Sequence, residues 1–253
     1  MINHVDYRIT DHCNLNCAGC NQFGPLAKPW CISYDDFCKE WTTVRDTGLV
    51  FGELRILGGE TLLHPQVGQL LEFLRSLYPK TKIVLYTNGI LLHQRKEELI
   101  PIFKENGIEL FISHYPGISV DPSGFPWVVH ADESRFMCTS LHKTPDYDPD
   151  KAFRNCNMGS VWQCRLLKNY HLYPCSMTPN LCFLIDHFSE LKDTPLGQMN
   201  IEDNGIDVRN HSIKEIEDFL WHSTPACAFC NTERAKAFSP WYLSEYKITE
   251  WVE

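Results

Sequence analysis

The chain has no stretch that approaches the roughly 20 consecutive apolar residues a membrane span requires. Its opening, Met-Ile-Asn-His-Val-Asp-Tyr-Arg, lacks the basic-then-apolar layout of an export signal, so the expected location is cytoplasmic, with no membrane partner. Positive charge is also short. There are 23 Lys and Arg against 32 Asp and Glu, a formal charge of −9, which argues against nucleic acid. Such binding relies on basic side chains to displace counterions from phosphates. The 11 histidines show no paired ligand spacing, and no internal repeat or low-complexity tract is visible. What remains is 253 residues with 43% hydrophobic content, enough for one sizeable core, with or without a small appendage.

Cysteine, by contrast, is abundant. Twelve cysteines without an export signal favour metal over disulfides, because the cytosol keeps thiols reduced. Cys13, Cys17 and Cys20 are separated by three residues and then by two. Three thiolates can hold three irons of a [4Fe–4S] cube and leave the fourth free for a ligand. An open metal position marks catalysis rather than scaffolding, as it does for zinc. The alternative is a closed structural metal site, with Asp11, His12 or Cys31 as fourth ligand.

The first half alternates strand and helix patterns. Strands are expected at 5–9, 54–57, 83–86 and 108–113, with a fifth at 127–130. Helices are expected from Asp35, capped by Ser33, along the stripe Val67, Leu70, Leu71, Leu74 and Leu77, and through Leu99 to a stop at Gly107. Strands alternating with helices imply an α/β fold with a parallel sheet, which either an open doubly wound sheet or a partial barrel satisfies. Residues 131–160 are polar and read as a connector. A hairpin follows over 161–174, turning at Lys168-Asn169-Tyr170. It holds Cys164 and Cys175 at its ends, and a helix then precedes Cys227-Ala-Phe-Cys230. That last spacing is common to zinc and iron–sulfur sites.

Gly58-Gly59-Glu60 directly follows the second strand, and Thr87-Asn88-Gly89 the third. Together with Cys13, Cys17 and Cys20, these make residues 5 to 130 resemble the radical S-adenosylmethionine (SAM) superfamily. The resemblance implies a partial (β/α) barrel over 1–130. It also implies a SAM-binding [4Fe–4S] cluster on the three cysteines, and a 5′-deoxyadenosyl radical that removes hydrogen from a substrate. By the same resemblance Gly58, Gly59 and Glu60 face the methionine amino group, while Thr87, Asn88 and Ser113 fall at SAM-contacting positions. Gly19 departs from the family, which often has an aromatic residue there against adenine, and Phe23 is the replacement expected.

The remainder, 161–253, resembles the twitch or shortened SPASM extension with an auxiliary [4Fe–4S] cluster. The ligand set expected is Cys164, Cys175, Cys227 and Cys230, with Cys156 as the substitute and a zinc ribbon as the alternative metal. Cys138 or Cys182 could return hydrogen to a substrate radical, and Arg135, Arg154 and Arg165 could bind an anionic one. Iron–sulfur potentials span about −700 to +450 mV, and splitting a sulfonium needs the low end. A flavodoxin- or ferredoxin-like electron donor is therefore implied. The function expected is oxidation or epimerisation of a small polar metabolite, a carbohydrate or aminocyclitol. A peptide-modifying maturase is the second reading, disfavoured by the twelve residues before Cys13. A non-catalytic iron–sulfur or zinc protein is the third.

Overall fold

In the computed structural model, which describes residues 1–138, 140–235 and 238–253, the chain begins with strand β1 (Ile2–Arg8). There follow α1 (Tyr34–Asp46), β2 (Phe51–Leu57), α2 (Val67–Leu77), β3 (Lys82–Thr87), α3 (Leu92–Asn106), β4 (Ile108–His114) and β5 (Val128–Asp132). The local reasons match the sequence. Ser33 Oγ accepts the Asp36 amide at 3.1 Å and caps α1. Gly107 ends α3 in the left-handed region at φ 60°, where a Cβ would be strained. Phe37 and Trp41 of α1 are fully buried and pack against Tyr7 with ring centroids 5.4 and 5.1 Å away.

Strands β1 to β5 run parallel, in the order β5-β4-β3-β2-β1. Their side chains alternate. Val5, Tyr7, Leu54, Ile56, Ile83 and Leu85 join the apolar core beneath the helices. The intervening residues face the other way: Asp6 and Arg8 on β1, Glu53 and Arg55 on β2, Tyr86 on β3, Glu109 on β4. Cross-strand ion pairs confirm that these share a face, since Lys82 Nζ lies 3.1 Å from Glu53 and 3.0 Å from Glu109. A parallel sheet is ordinarily apolar on both faces. Here one face is charged.

The second half departs from the expected plan. The supposed connector contains β6 (Arg135–Met137) and α4 (Pro149–Asn155), followed by a wide helical turn at Asn157–Val161. The hairpin is present as β7 (Leu166–Lys168) and β8 (His171–Tyr173), with Asn169 and Tyr170 both at positive φ in the turn that hairpins favour. It does not stand apart, because β7 pairs parallel with β1 and extends the main sheet on that edge. Beyond it come α5 (Leu181–His187), α6 (Pro195–Gln198), β9 (Ile206–Asp207), α7 (Ile213–Phe219), α8 (Thr232–Ala235) and β10 (Phe238–Pro240), the last antiparallel to β6. A second apolar core, including Leu141, Leu181, Leu184 and Trp251, also takes Met158 from the expected connector and Phe23 and Leu26 from near the first cysteines. Among the described residues no helix is long and apolar enough to cross a membrane.

Candidate functional site

Cys13, Cys17 and Cys20 lie in the loop that leaves the carboxyl end of β1, and several contacts fix its path. Arg8, buried at its base, donates from Nε to Asp11 Oδ1 at 3.3 Å, from Nη2 to the Asp11 carbonyl at 3.0 Å and from Nη1 to Gln22 Oε1 at 3.0 Å. The amides of Gly59 and Glu60 donate to the carbonyls of Thr10 and His12, each at 3.0 Å. A Cβ at Gly59 would lie 2.1 Å from the His12 oxygen, so the two loops meet only because this residue has no side chain. The glycine pair thus admits the cysteine loop, a packing role beyond the ligand approach expected of it. From the far end of the chain, the Ala18 amide donates to the Tyr242 carbonyl at 3.1 Å and Ser244 to Asn16 at 2.9 Å.

Glu60 joins the loop after β2 to the turn after β3. Its carboxylate is 1% exposed. Oε1 accepts from the Leu62 amide at 2.9 Å and the Thr87 hydroxyl at 2.6 Å, and Oε2 accepts from the Asn88 amide at 2.8 Å. Burial raises its pKa, and these bonds oppose the rise. Asn88 continues the chain of contacts, with Nδ2 2.8 Å from Asn14 Oδ1 and 3.8 Å from Cys13 Sγ.

All nine residues expected at the first site line one cavity of about 320 Å³: Cys13, Cys17 and Cys20, Gly58, Gly59 and Glu60, and Thr87, Asn88 and Ser113. Asp11, His12 and Cys31 do not line it. Asp11 faces Arg8, His12 Nδ1 lies 3.1 Å from Thr10 Oγ1, and Cys31 bridges Thr10. Burial pushes the Cys13 thiol up, with Glu60 adding to it, and takes Cys17 to about 12, with Cys20 adding to that. Such thiols give up their protons readily only to a cation, and iron would supply the charge. The donor set therefore fits a [4Fe–4S] cluster with one open corner.

Phe23 cannot serve as the adenine contact. It is fully buried in the second core and does not line the cavity. Gly19 has no room for an aromatic residue either, since a Cβ there would meet the Cys138 Cβ at 2.9 Å. The aromatic side chains that do line the cavity are Tyr86, Tyr115 and Trp162.

The late cysteines separate in a way the hairpin did not foretell. Cys156, Cys175, Cys227 and Cys230 line a second, mostly apolar cavity, together with Cys138. Cys164 lines the first cavity instead, beside Asp6 and Arg55. Residues 164 and 175 stand near each other at the open end of the hairpin; Met158 and Asn21 line both cavities, and Cys164, although it lines the first, also packs against the second core within electrostatic reach of Cys175 and Cys156. Cys175 is raised to about 12, by burial and then by Cys156; Cys230 is raised well above the ordinary thiol value, by burial and then by Cys175, Cys227 and Cys156. Among the described residues no three His, Cys, Asp or Glu side chains crowd closely enough to share a single metal ion. Cys182 lines neither cavity, and Arg135, Arg154 and Arg165 do not line the first. Arg165 lies over the Trp221 ring, 4.7 Å from its centroid.

Two residues escaped the sequence reading. Asp6 and Arg55, paired in register across β1 and β2, line the same cavity as the first cysteines. Asp6 is 5% exposed, its Oδ1 has no hydrogen-bond partner, and burial raises its pKa to about 7 against the pull of Arg55. The signal was present in Val5-Asp6-Tyr7-Arg8 and Leu54-Arg55-Ile56. Charges at every second position of a parallel strand mean that one face of the sheet is not packed core.

Comparison with known proteins agrees with this geometry. Residues 7–121 match the Radical SAM superfamily. The chain is 29% identical over 118 residues to the antilisterial bacteriocin subtilosin biosynthesis protein AlbA of Bacillus subtilis, covering 47% of this chain and 24% of AlbA. It is 35% identical over 89 residues to the GTP 3′,8-cyclase of Streptomyces coelicolor, covering 34% and 26%. The chain thus spans about a quarter of the length of these relatives. The crystal structure of BtrN in complex with AdoMet and 2-DOIA shares the fold over 91% of this chain and 93% of BtrN, with a TM-score of 0.54 and 14% identity. Residues 7–121, less than half of the chain, thus resemble the radical SAM superfamily, a family whose cofactors are a [4Fe–4S] cluster and SAM.

Proposed function

We propose that the protein is a radical SAM oxidoreductase or epimerase acting on a small polar metabolite, a carbohydrate or aminocyclitol. The observation that carries this reading is the charged face of the parallel sheet, continuous with the cavity of Cys13, Cys17 and Cys20. On this reading the three thiolates hold the SAM-binding cluster. Gly58 to Glu60 with Thr87, Asn88 and Ser113 surround SAM, and Asp6 and Arg55 meet the substrate deeper in the cavity. When bound, cluster and SAM supply a 5′-deoxyadenosyl radical. The chain's own residues orient the substrate and handle its proton. Asp6 is placed to accept a hydroxyl or ammonium hydrogen, and Arg55 to donate to an oxygen. An apolar substrate would leave the buried Asp6 carboxylate unpaired, a cost of about 1–3 kcal/mol, while Arg55 keeps its pairing with Glu53. The fold shared with BtrN, which was crystallised with AdoMet and 2-DOIA, supports a substrate of this size.

The second cavity supports an auxiliary [4Fe–4S] cluster, and we assign its ligands as Cys156, Cys175, Cys227 and Cys230. A flavodoxin- or ferredoxin-like protein is the proposed electron source. The test is anaerobic reconstitution with iron and sulfide, followed by dithionite and SAM. Formation of 5′-deoxyadenosine is expected, is abolished by Cys17→Ala and survives Cys175→Ala. Deuterium from labelled aminocyclitols or sugars should appear in that product. A protein with full iron content that forms no 5′-deoxyadenosine is not a radical SAM enzyme.

A further inference from the structure

The carboxyl-terminal segment does more than cover the cysteine loop. Its backbone pairs with that loop through a bridge between Cys17 and Leu243, flanked by the bonds from Ala18 to Tyr242 and from Ser244 to Asn16. This ladder aims the half-buried indole of Trp241 at a sulfur, and Nε1 donates to Cys17 Sγ at 3.1 Å. The indole is held from its other sides as well. Its ring lies 5.6 Å from that of Tyr115, and the Trp241 amide donates to the Ser134 carbonyl at 2.9 Å. Tyr115, just beyond β4, lies close enough to the same sulfur to favour its thiolate. Cys17 Sγ thus receives a side-chain donor from 224 residues away in sequence, at a shorter distance than the 3.8 Å from Asn88 Nδ2 to Cys13 Sγ.

Hydrogen bonds to cluster sulfurs, net charge and solvent exposure set iron–sulfur potentials. A donor stabilises the more negative, reduced state more than the oxidised one, so it moves the potential upward. Burial beside Glu60 acts in the opposite direction. We propose that Trp241, assisted by Tyr115, is a positioning residue that sets the potential of the cluster bound through Cys17, holding it within reach of the physiological electron donor. This rests on the assignment of Cys17 as a ligand of that cluster. Neither residue need touch SAM or substrate for the effect.

The experiment is an EPR-monitored potentiometric titration of the reconstituted holoenzyme, without SAM, on the wild type and on Trp241→Phe, Trp241→His and Tyr115→Phe. Trp241→Phe keeps an aromatic ring and removes the N–H. It should shift the reduction equilibrium about tenfold toward the oxidised form, which is 59 mV for a one-electron couple. Trp241→His, which restores a ring N–H, should recover part of the shift, and Tyr115→Phe should move the potential the same way by less. A fully loaded Trp241→Phe protein within twofold of the wild-type equilibrium, or shifted in the opposite direction, overturns the proposal. Should Trp241→Phe fail to hold its cluster, Tyr115→Phe decides, and the absence of a negative shift there overturns it equally. A Cys17→Ala protein that keeps the cluster at its wild-type potential would refute the ligand assignment as well; an unshifted potential with Cys17 essential refutes this inference alone.

Discussion

Replacing Asp6 by asparagine removes a charge that the fold tolerates poorly. Asp6 is buried, its Oδ1 is unpartnered, and its pKa is raised from 3.8 to about 7, chiefly by burial, with Arg55 opposing. A carboxyl raised in this way binds its proton more tightly when folded than when unfolded. Below pH 3.8 both states are protonated and the site costs nothing. As pH rises from there to about 7, the unfolded chain ionises first and the folded state loses stability. Above 7 the cost is fully present, on the order of 4 kcal/mol. Asparagine does not titrate, so whatever its amide gains or loses is a constant offset. The difference in unfolding free energy, variant minus wild type, should therefore grow by a few kcal/mol between pH 4 and pH 8. Urea titrations of the reduced protein at several pH values measure it. The same substitution should leave SAM cleavage by the reduced holoenzyme intact and lower deuterium transfer from substrate at least tenfold. Greater stability with less function is the mark of a residue kept for chemistry. A stability difference that is flat with pH, or one that falls as pH rises, would refute the reasoning.

Three further outcomes are expected. In Glu60→Gln, either orientation of the amide sets an NH₂ against a backbone N–H, that of Leu62 or that of Asn88; it should cost about 1–3 kcal/mol in denaturation and weaken SAM binding measured by calorimetry. Gly59→Ala places a Cβ 2.1 Å from the His12 carbonyl oxygen and should cost on the order of 3 kcal/mol, with iron at the first site lost from the reconstituted protein. Cys156→Ser should halve the iron bound by the reconstituted protein, while Cys164→Ser should leave it near the wild-type level. Equal losses in the two variants would count against the auxiliary ligand set proposed above.

Much of the first half could be read without coordinates, because its signals are local. The cap at Ser33, the stop at Gly107 and the stripe through Val67 and Leu74 each act within a few residues, and they place α1, α2 and α3 where the structure has them. The strands before and after those helices follow from the same periodicity. The triplet of cysteines sits within eight residues of chain, so its closeness in space was never in question.

Contacts between distant segments were out of reach of that reading. Hairpin geometry rightly brought residues 164 and 175 to the same end of the hairpin, yet it could not say that Cys164 would line the first cavity while Cys175 and Cys156 line the second. Nor could it tell that β7 would pair with β1 rather than stand in a separate domain. Periodicity names the two faces of a strand, but the partner of each face depends on how the sheet closes with the rest of the chain. For that reason the sequence alone determined the cysteine triplet, the glycine turn and the order of strands and helices. Tertiary packing alone decided that Asp6 would be left without a partner, that Phe23 would be core, and that the indole of Trp241 would come to rest on Cys17.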